Sequence, residues 1–187
     1  MRVLVVCTGN ICRSPVAERL LRQGLGALDA AGGITVASAG THAVVDYPIQ
    51  GEMVELLAGD GVSASGFSAR QLTRELIADA DLILVAAREH RRWLVRVLPS
   101  GLQRCYTLKE FARLAALIPI HEAPDGVAER MQWLAHRAPM ARGRQDAPPA
   151  EDDIPDPYLR GLAAYRTAYH AVRVAVEDIL ECLGEWS

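Results

Sequence analysis

The chain has 187 residues (20.3 kDa), half of them apolar and 23% charged. That composition excludes a disordered polymer and fits a single domain over residues 1–187 with a sizeable core. Lys plus Arg is 20 against 23 Asp plus Glu, a net charge of -3, which disfavours broad nucleic-acid binding. The longest apolar runs are too short to span a membrane, and the apolar start ends at Cys7 to Asn10, too soon for an export signal. A cytoplasmic protein with no membrane partner is expected, its four cysteines (Cys7, Cys12, Cys105, Cys182) being thiols rather than a disulfide framework.

Residues 2–6 read as a short buried strand, residues 7–14 as a polar turn, and Pro15 as the first turn of a helix that continues through Leu21. Gly24, Gly26 and Gly32-Gly33 punctuate the end of that helix. A second strand is expected over 34–39, a helix over 53–57, and a short helix over 72–80 with Thr73 as N-cap. Residues 81–85 form a third strand, 88–98 an amphipathic helix, 105–108 a fourth strand, and 109–117 and 127–136 two further helices. Residues 138–157 hold five prolines and a cluster of acids and read as an exposed loop, after which helical periodicity runs from Tyr158 to Leu183. Strands alternating with helices predict an α/β three-layer sandwich around a parallel sheet. Its ligand crevice lies beyond the carboxyl ends of the strands, where Cys7 falls.

The segment Cys7-Thr8-Gly9-Asn10-Ile11-Cys12-Arg13-Ser14 joins strand to helix. Backbone amides of such a turn converge on one point, and the following helix N-terminus adds partial positive charge, making an oxyanion cradle. Gly9 supplies a tight or left-handed conformation. Arg13 can give two parallel hydrogen bonds to phosphate oxygens. Cys7 in that field favours the thiolate, and the Ser14 hydroxyl can donate to it. The plainer reading is a core cysteine with an unrelated surface arginine. An alkoxide or phenoxide leaving group needs a proton, and the acids Glu151, Asp152, Asp153 and Asp156 are at hand. Asp156 is held between Pro155 and Pro157, which limit its backbone. The alternative is a solvated acidic loop with Asp156 as N-cap and Pro157 at the first helical position.

The run from Val3 to Glu18, VLVVCTGNICRSPVAE, resembles the signature of the low-molecular-weight protein tyrosine phosphatases. Ser38-Ala39-Gly40-Thr41, Ala69-Arg70-Gln71, Asp81-Leu82-Ile83-Leu84 and Asp156-Pro157-Tyr158 match in the same order. The resemblance implies a four-stranded parallel sheet flanked by helices, a phosphate-binding loop after the first strand, and a two-step reaction with no metal or other cofactor. By position it implies Cys7 as nucleophile, Arg13 as phosphate ligand, and Asp156 as general acid and then base. Asn10, Ser14 and Ser38 brace the loop, and Cys12 is a second loop thiol able to form a reversible disulfide with Cys7. The substrate is a phosphotyrosine protein or a small phosphomonoester, and inorganic phosphate is the product.

Val44 stands where the family pattern has a pocket tryptophan, Gln50 where Asp is common, and Phe67 where His is common. Tyr158 keeps an aromatic beside the acid, and Tyr47 is a candidate for the missing wall. Residues 118–150 exceed what the family needs. Two other functions fit the cradle: arsenate reduction on the same fold, and a non-catalytic phosphate- or phosphoprotein-binding module. The first needs a closely spaced redox cysteine pair downstream, whereas Cys105 and Cys182 are isolated. The second has no use for both Cys7 and Asp156. The basic run Arg88 to Arg92 reads as a solvated helix face, and the five histidines show no metal-ligand spacing.

Overall fold

The computed structural model describes residues 1–28, 32–142 and 149–184. Four strands, β1 (Arg2–Cys7), β2 (Thr35–Gly40), β3 (Leu82–Val85) and β4 (Cys105–Thr107), form one parallel sheet in the order β2-β1-β3-β4. Seven α-helices accompany them among the described residues: α1 (Arg13–Leu28), α2 (Gly51–Gly59), α3 (Arg74–Asp79), α4 (Arg88–Val97), α5 (Leu108–Ala116), α6 (Val127–Ala141) and α7 (Leu162–Glu181). The strands are buried on both faces, so they read as continuous apolar runs. Alternate side chains divide the core in two. Val3, Val5, Leu82 and Leu84 pack with α1, α2, α5, α6 and α7. Leu4, Val6, Ile83 and Val85 pack with Ile77 of α3 and Leu94 of α4. This is the expected three-layer sandwich. The strand order reverses direction between β1 and β3, which opens a crevice at their carboxyl ends, where Cys7 ends β1.

Three boundaries differ from the sequence expectation by more than two residues, each for a tertiary reason. Helix α1 runs through Gly24 and Gly26 instead of ending at them. A Cβ on Gly24 would lie 2.1 Å from Leu180 Cδ1, so this glycine lets α7 approach α1. Helix α6 continues past Ala138 to Ala141, although Pro139 lies inside it. Pro139 has no N–H for the carbonyl of Ala135, and the Tyr106 hydroxyl donates to that carbonyl instead, at 3.3 Å. The expected exposed loop therefore begins as buried helix, with Ala138 and Ala141 in the core, and its residues 143–148 lie outside those described. Helix α7 starts at Leu162 rather than Tyr158, because Leu159 (φ 60°) and Gly161 (φ 79°) are left-handed. Asp156 is consequently not a helix cap.

Candidate active site

The loop between β1 and α1 is tied from outside through its carbonyls. Those of Cys7, Thr8, Gly9 and Ile11 accept from the amides of Thr41, His42, Val44 and Gln50 at 2.9–3.0 Å. Cys12 O accepts from Val16 N at 3.3 Å, the first bond of α1. In a trans peptide the N–H opposes the C=O, so the amides of residues 8, 9, 10, 12 and 13 turn toward the inside of the loop. That is an anion nest, with the N-terminus of α1 behind it. The left-handed residue is Asn10 (φ 56°), not Gly9 as the composition of the turn suggested. Asn10 tolerates this backbone because its side chain is fully used. Nδ2 donates to Ser14 Oγ and Ser38 Oγ at 2.9 Å each, and Oδ1 accepts from Arg70 N at 2.9 Å. Gly40 supports the loop from β2: a Cβ there would lie 2.4 Å from Thr8 O and 3.0 Å from Asn10 N.

These bonds fix proton directions. Ser14 Oγ accepts from Asn10, so its own O–H is left for Cys7 Sγ at 2.9 Å. Ser38 Oγ likewise accepts from Asn10 and donates to Glu18 Oε2 at 2.6 Å, while Glu18 Oε1 pairs with Arg22 at 3.1 Å. Cys7, Asn10, Ser14, Glu18 and Ser38 are all buried. Cys7 Sγ thus stands at the end of a buried chain of hydrogen bonds that runs from Asn10 through Ser14.

Arg13 is 3% exposed. Its Nη1 donates to Ile154 O at 3.1 Å, and its Nη2 meets Thr8 Oγ1 at 3.3 Å and Asp156 Oδ2 at 2.8 Å. Its Nε is buried without a hydrogen-bond partner, an arrangement a bound oxyanion satisfies. Asp156 is 40% exposed and accepts from Tyr158 N through Oδ1 at 3.3 Å. A cavity of about 180 Å³ is lined by Cys7, Thr8, Gly9, Ile11, Cys12, Arg13, His42, Val44, Asp156 and Tyr158. A larger hollow of about 410 Å³ lies beside Met1 and His136, but no cysteine lines it.

The structure thus brings together Cys7, Arg13, Asp156, the whole phosphate loop, Ser38 and Tyr158. It leaves out Tyr47, which is 58% exposed and is not among the lining residues. His42 and Val44 take that side, where the chain turns back at left-handed Asp46. Phe67 lies under the Arg19 guanidinium at 5.7 Å, and Gln50 precedes α2 without a side-chain cap. Burial pushes the Cys12 thiol up to about 12, with Cys7 and Asp156 nearby adding to the effect.

Several residues that sequence reasoning set aside also belong to the site. Asp153 is half-buried rather than free in solvent: it accepts from Arg88 N at 2.7 Å and pairs with the Arg88 side chain at 2.9 Å. Asp152 pairs with Arg113 at 3.1 Å, and Lys109 donates to the Glu151 carbonyl. Ile154 N bonds to Ala86 O at 2.9 Å. The acid segment is thereby anchored residue by residue up to Asp156. The run Arg88 to Arg92 is correspondingly not a bare solvated face. Arg88 holds Asp153, Arg91 holds Glu110 at 2.8 Å, and His90 is buried beside Thr8.

A family model described as "Low molecular weight phosphotyrosine protein phosphatase" matches residues 2–122. The chain belongs to this family. The Escherichia coli (strain K12) low molecular weight protein-tyrosine-phosphatase Etp is 43% identical over 176 residues, covering 94% of this chain and 90% of Etp. The crystal structure of the low molecular weight protein tyrosine phosphatase from T. tengcongensis superposes with a TM-score of 0.71 at 28% identity, covering 97% and 98% of the two chains. The YwlE arginine phosphatase from Geobacillus stearothermophilus gives 0.69 at 25% identity, covering 96% and 90%. Membership in the low molecular weight phosphatases leaves arsenate reduction without support. Cys105 is fully buried in β4, and Cys182 follows α7. Burial pushes these thiols up to about 12 and about 11 respectively.

Proposed function

We propose that this low molecular weight phosphatase hydrolyses phosphotyrosine, or a related aryl phosphomonoester, through a cysteinyl-phosphate intermediate on Cys7. The observation that carries the reading is Cys7 Sγ receiving the Ser14 hydroxyl on the floor of an amide cradle that Arg13 and Asp156 close. The phosphate dianion occupies the cradle, with loop amides and Arg13 Nε and Nη2 on its equatorial oxygens. Cys7 thiolate attacks phosphorus as the P–O bond to the leaving group breaks, and Asp156 gives that oxygen its proton. In the second step the Asp156 carboxylate takes a proton from water. The water oxygen attacks phosphorus, the S–P bond breaks, and phosphate leaves with the thiolate restored. Asp156 Oδ2 and the incoming dianion compete for Arg13 Nη2, so binding frees the carboxyl from the arginine to face the leaving-group oxygen.

The cavity takes one side-chain-sized group, being smaller than the ~300–1,000 Å³ of drug-sized sites. Ile11, Val44 and Tyr158 offer apolar surface to a ring, and Asp156 is the single carboxylate on the lining. An aryl phosphate therefore suits the walls better than a phosphorylated guanidinium. Val45, Tyr47, Leu159 and Leu162, next to or near lining residues in the chain, are exposed apolar surface for the remainder of a protein substrate. A cytoplasmic location is part of the reading, supported by four free cysteines.

The test is steady-state hydrolysis of a series of aryl phosphates, with chelator present, by wild type, Cys7→Ser, Arg13→Lys and Asp156→Ala, alongside phosphotyrosine and phosphoarginine peptides. Cys7→Ser and Arg13→Lys should lose orders of magnitude in rate. Asp156→Ala should lose roughly 10²–10⁴-fold on poor leaving groups and much less on activated ones. A leaving-group dependence for Asp156→Ala no steeper than for wild type would remove Asp156 from the proton-donor role.

A further inference from the structure

His90, at the third position of α4, is a buried histidine with no part in the chemistry above. His90 is 2% exposed. Ala87 N donates to its Nδ1 at 3.0 Å. A backbone amide can only donate, so Nδ1 carries the lone pair and, in the neutral ring, Nε2 carries the hydrogen. Nε2 lies 3.0 Å from Thr8 Oγ1 and therefore donates to it. Arg13 Nη2 donates to the same oxygen at 3.3 Å. With two donors on its oxygen, the Thr8 hydroxyl has one tetrahedral direction left, and its proton must be given away there. Thr8 lines the cavity together with Cys7 and Arg13.

We infer that Thr8 Oγ–H is a further hydrogen-bond donor to the transferring phosphoryl group, and that His90 is the positioning residue that turns the hydroxyl toward it. The inference rests on the phosphatase reading for its kinetic part and on the anion cradle alone for its binding part. The neutral ring is required for it. Burial and the Arg13 charge hold His90 down at about 4, against the pull of Asp156 and Asp153. Exposed Glu89, whose Oε1 is 3.7 Å from Nε2, is a further charged neighbour. A neutral Nε2–H then orients a hydroxyl in the way a fixed dipole does, before the substrate arrives, so no reorganisation is needed in the transition state.

A double-mutant cycle between Thr8→Val and His90→Leu tests this, with His90→Gln as the conservative variant. The Gln amide can accept from Ala87 N through oxygen and donate to Thr8 through nitrogen. The readouts are kcat and KM for 4-nitrophenyl phosphate, orthovanadate affinity by titration calorimetry, and the thermal midpoint. Thr8→Val should lower kcat and vanadate affinity by about tenfold with KM changed much less. His90→Leu should do the same in the wild-type background and cost less than about twofold more in Thr8→Val, while His90→Gln restores most of the loss. A merely structural histidine would lower the thermal midpoint and activity equally in both backgrounds, and that result would overturn the inference. So would vanadate affinity unchanged in Thr8→Val. If wild type itself turned over no aryl phosphate, the phosphatase reading would fail, and vanadate affinity would still decide for or against the Thr8 donor.

Discussion

The depressed basicity of His90 makes a stability prediction that needs no substrate. In the unfolded chain a histidine titrates near 6.5, whereas burial and Arg13 hold the folded residue at about 4. Between these values the unfolded chain binds more protons than the folded one, so folding stability rises with pH across this window and falls on acidification. At about 1.36 kcal/mol per pH unit, the His90 contribution lost between pH 7 and pH 4 is roughly 3 kcal/mol. Carboxylates add their own loss at the acid end. Asp153 is held below its ordinary value by the Arg88 hydrogen bonds, which outweigh its burial, so its contribution is present above pH about 4 and lost below. Comparing wild type with His90→Gln subtracts those common terms. Urea unfolding at half-unit steps from pH 7 to 4.5 should give a steeper fall for wild type, with the two curves converging toward acid. The His90 ring proton shifts in NMR should stay those of a neutral imidazole down to pH 5. Parallel stability curves, or a ring that titrates near 6.5, would refute the argument that this histidine is buried neutral beside Arg13.

Two glycines of α1 should respond with opposite signs. Gly26→Ala meets nothing within 4 Å and should stabilise by about 0.8–1 kcal/mol from helix propensity, whereas Gly24→Ala drives a methyl into Leu180 and should destabilise by about 1–2 kcal/mol net, both read by chemical denaturation. Asp153→Asn should loosen the acid segment and slow hydrolysis of poor leaving groups several-fold, less than Asp156→Ala does; equal rates for Asp153→Asn and wild type across the aryl series would show that the Arg88 contact does not position the acid. Mild peroxide should inactivate reversibly by joining Cys7 to Cys12, and the raised basicity of Cys12 should make the bond form faster as pH rises; peptide mapping that finds only sulfinic acid on Cys7 would count against it.

What the sequence made legible was mostly local. The apolar runs of β1 and β3, the turn from Cys7 to Ser14 and the Thr73 cap, whose oxygen accepts from Leu76 N at 3.3 Å, all have causes within a few residues of themselves. The residues lining the cavity from Cys7 to Arg13 were legible as a group because they are contiguous in the chain. What stayed hidden depends on distant chain. Gly24 looks like a helix terminator until Leu180 is placed against it. Pro139 looks like a loop residue until Tyr106 satisfies the Ala135 carbonyl. Asp153 looks solvated until α4 presents Arg88, and His90 looks like one more charge in a basic run until Thr8 lies beside it. One signal for His90 was available: it stands three residues after Ala87, where a side chain can reach back to the N-cap amide.

The central claim is a covalent phosphoryl group on Cys7. Asp156→Ala mixed with an activated aryl phosphate should pass the first step, whose phenoxide needs no proton, and stall at the second, which lacks its base. Acid quench within milliseconds, digestion and mass spectrometry should then find phosphate on the peptide carrying Cys7, at close to one group per enzyme, with a matching burst of phenol. Turnover with no phosphorylated peptide and no burst, or phosphate on any other residue, would contradict the account.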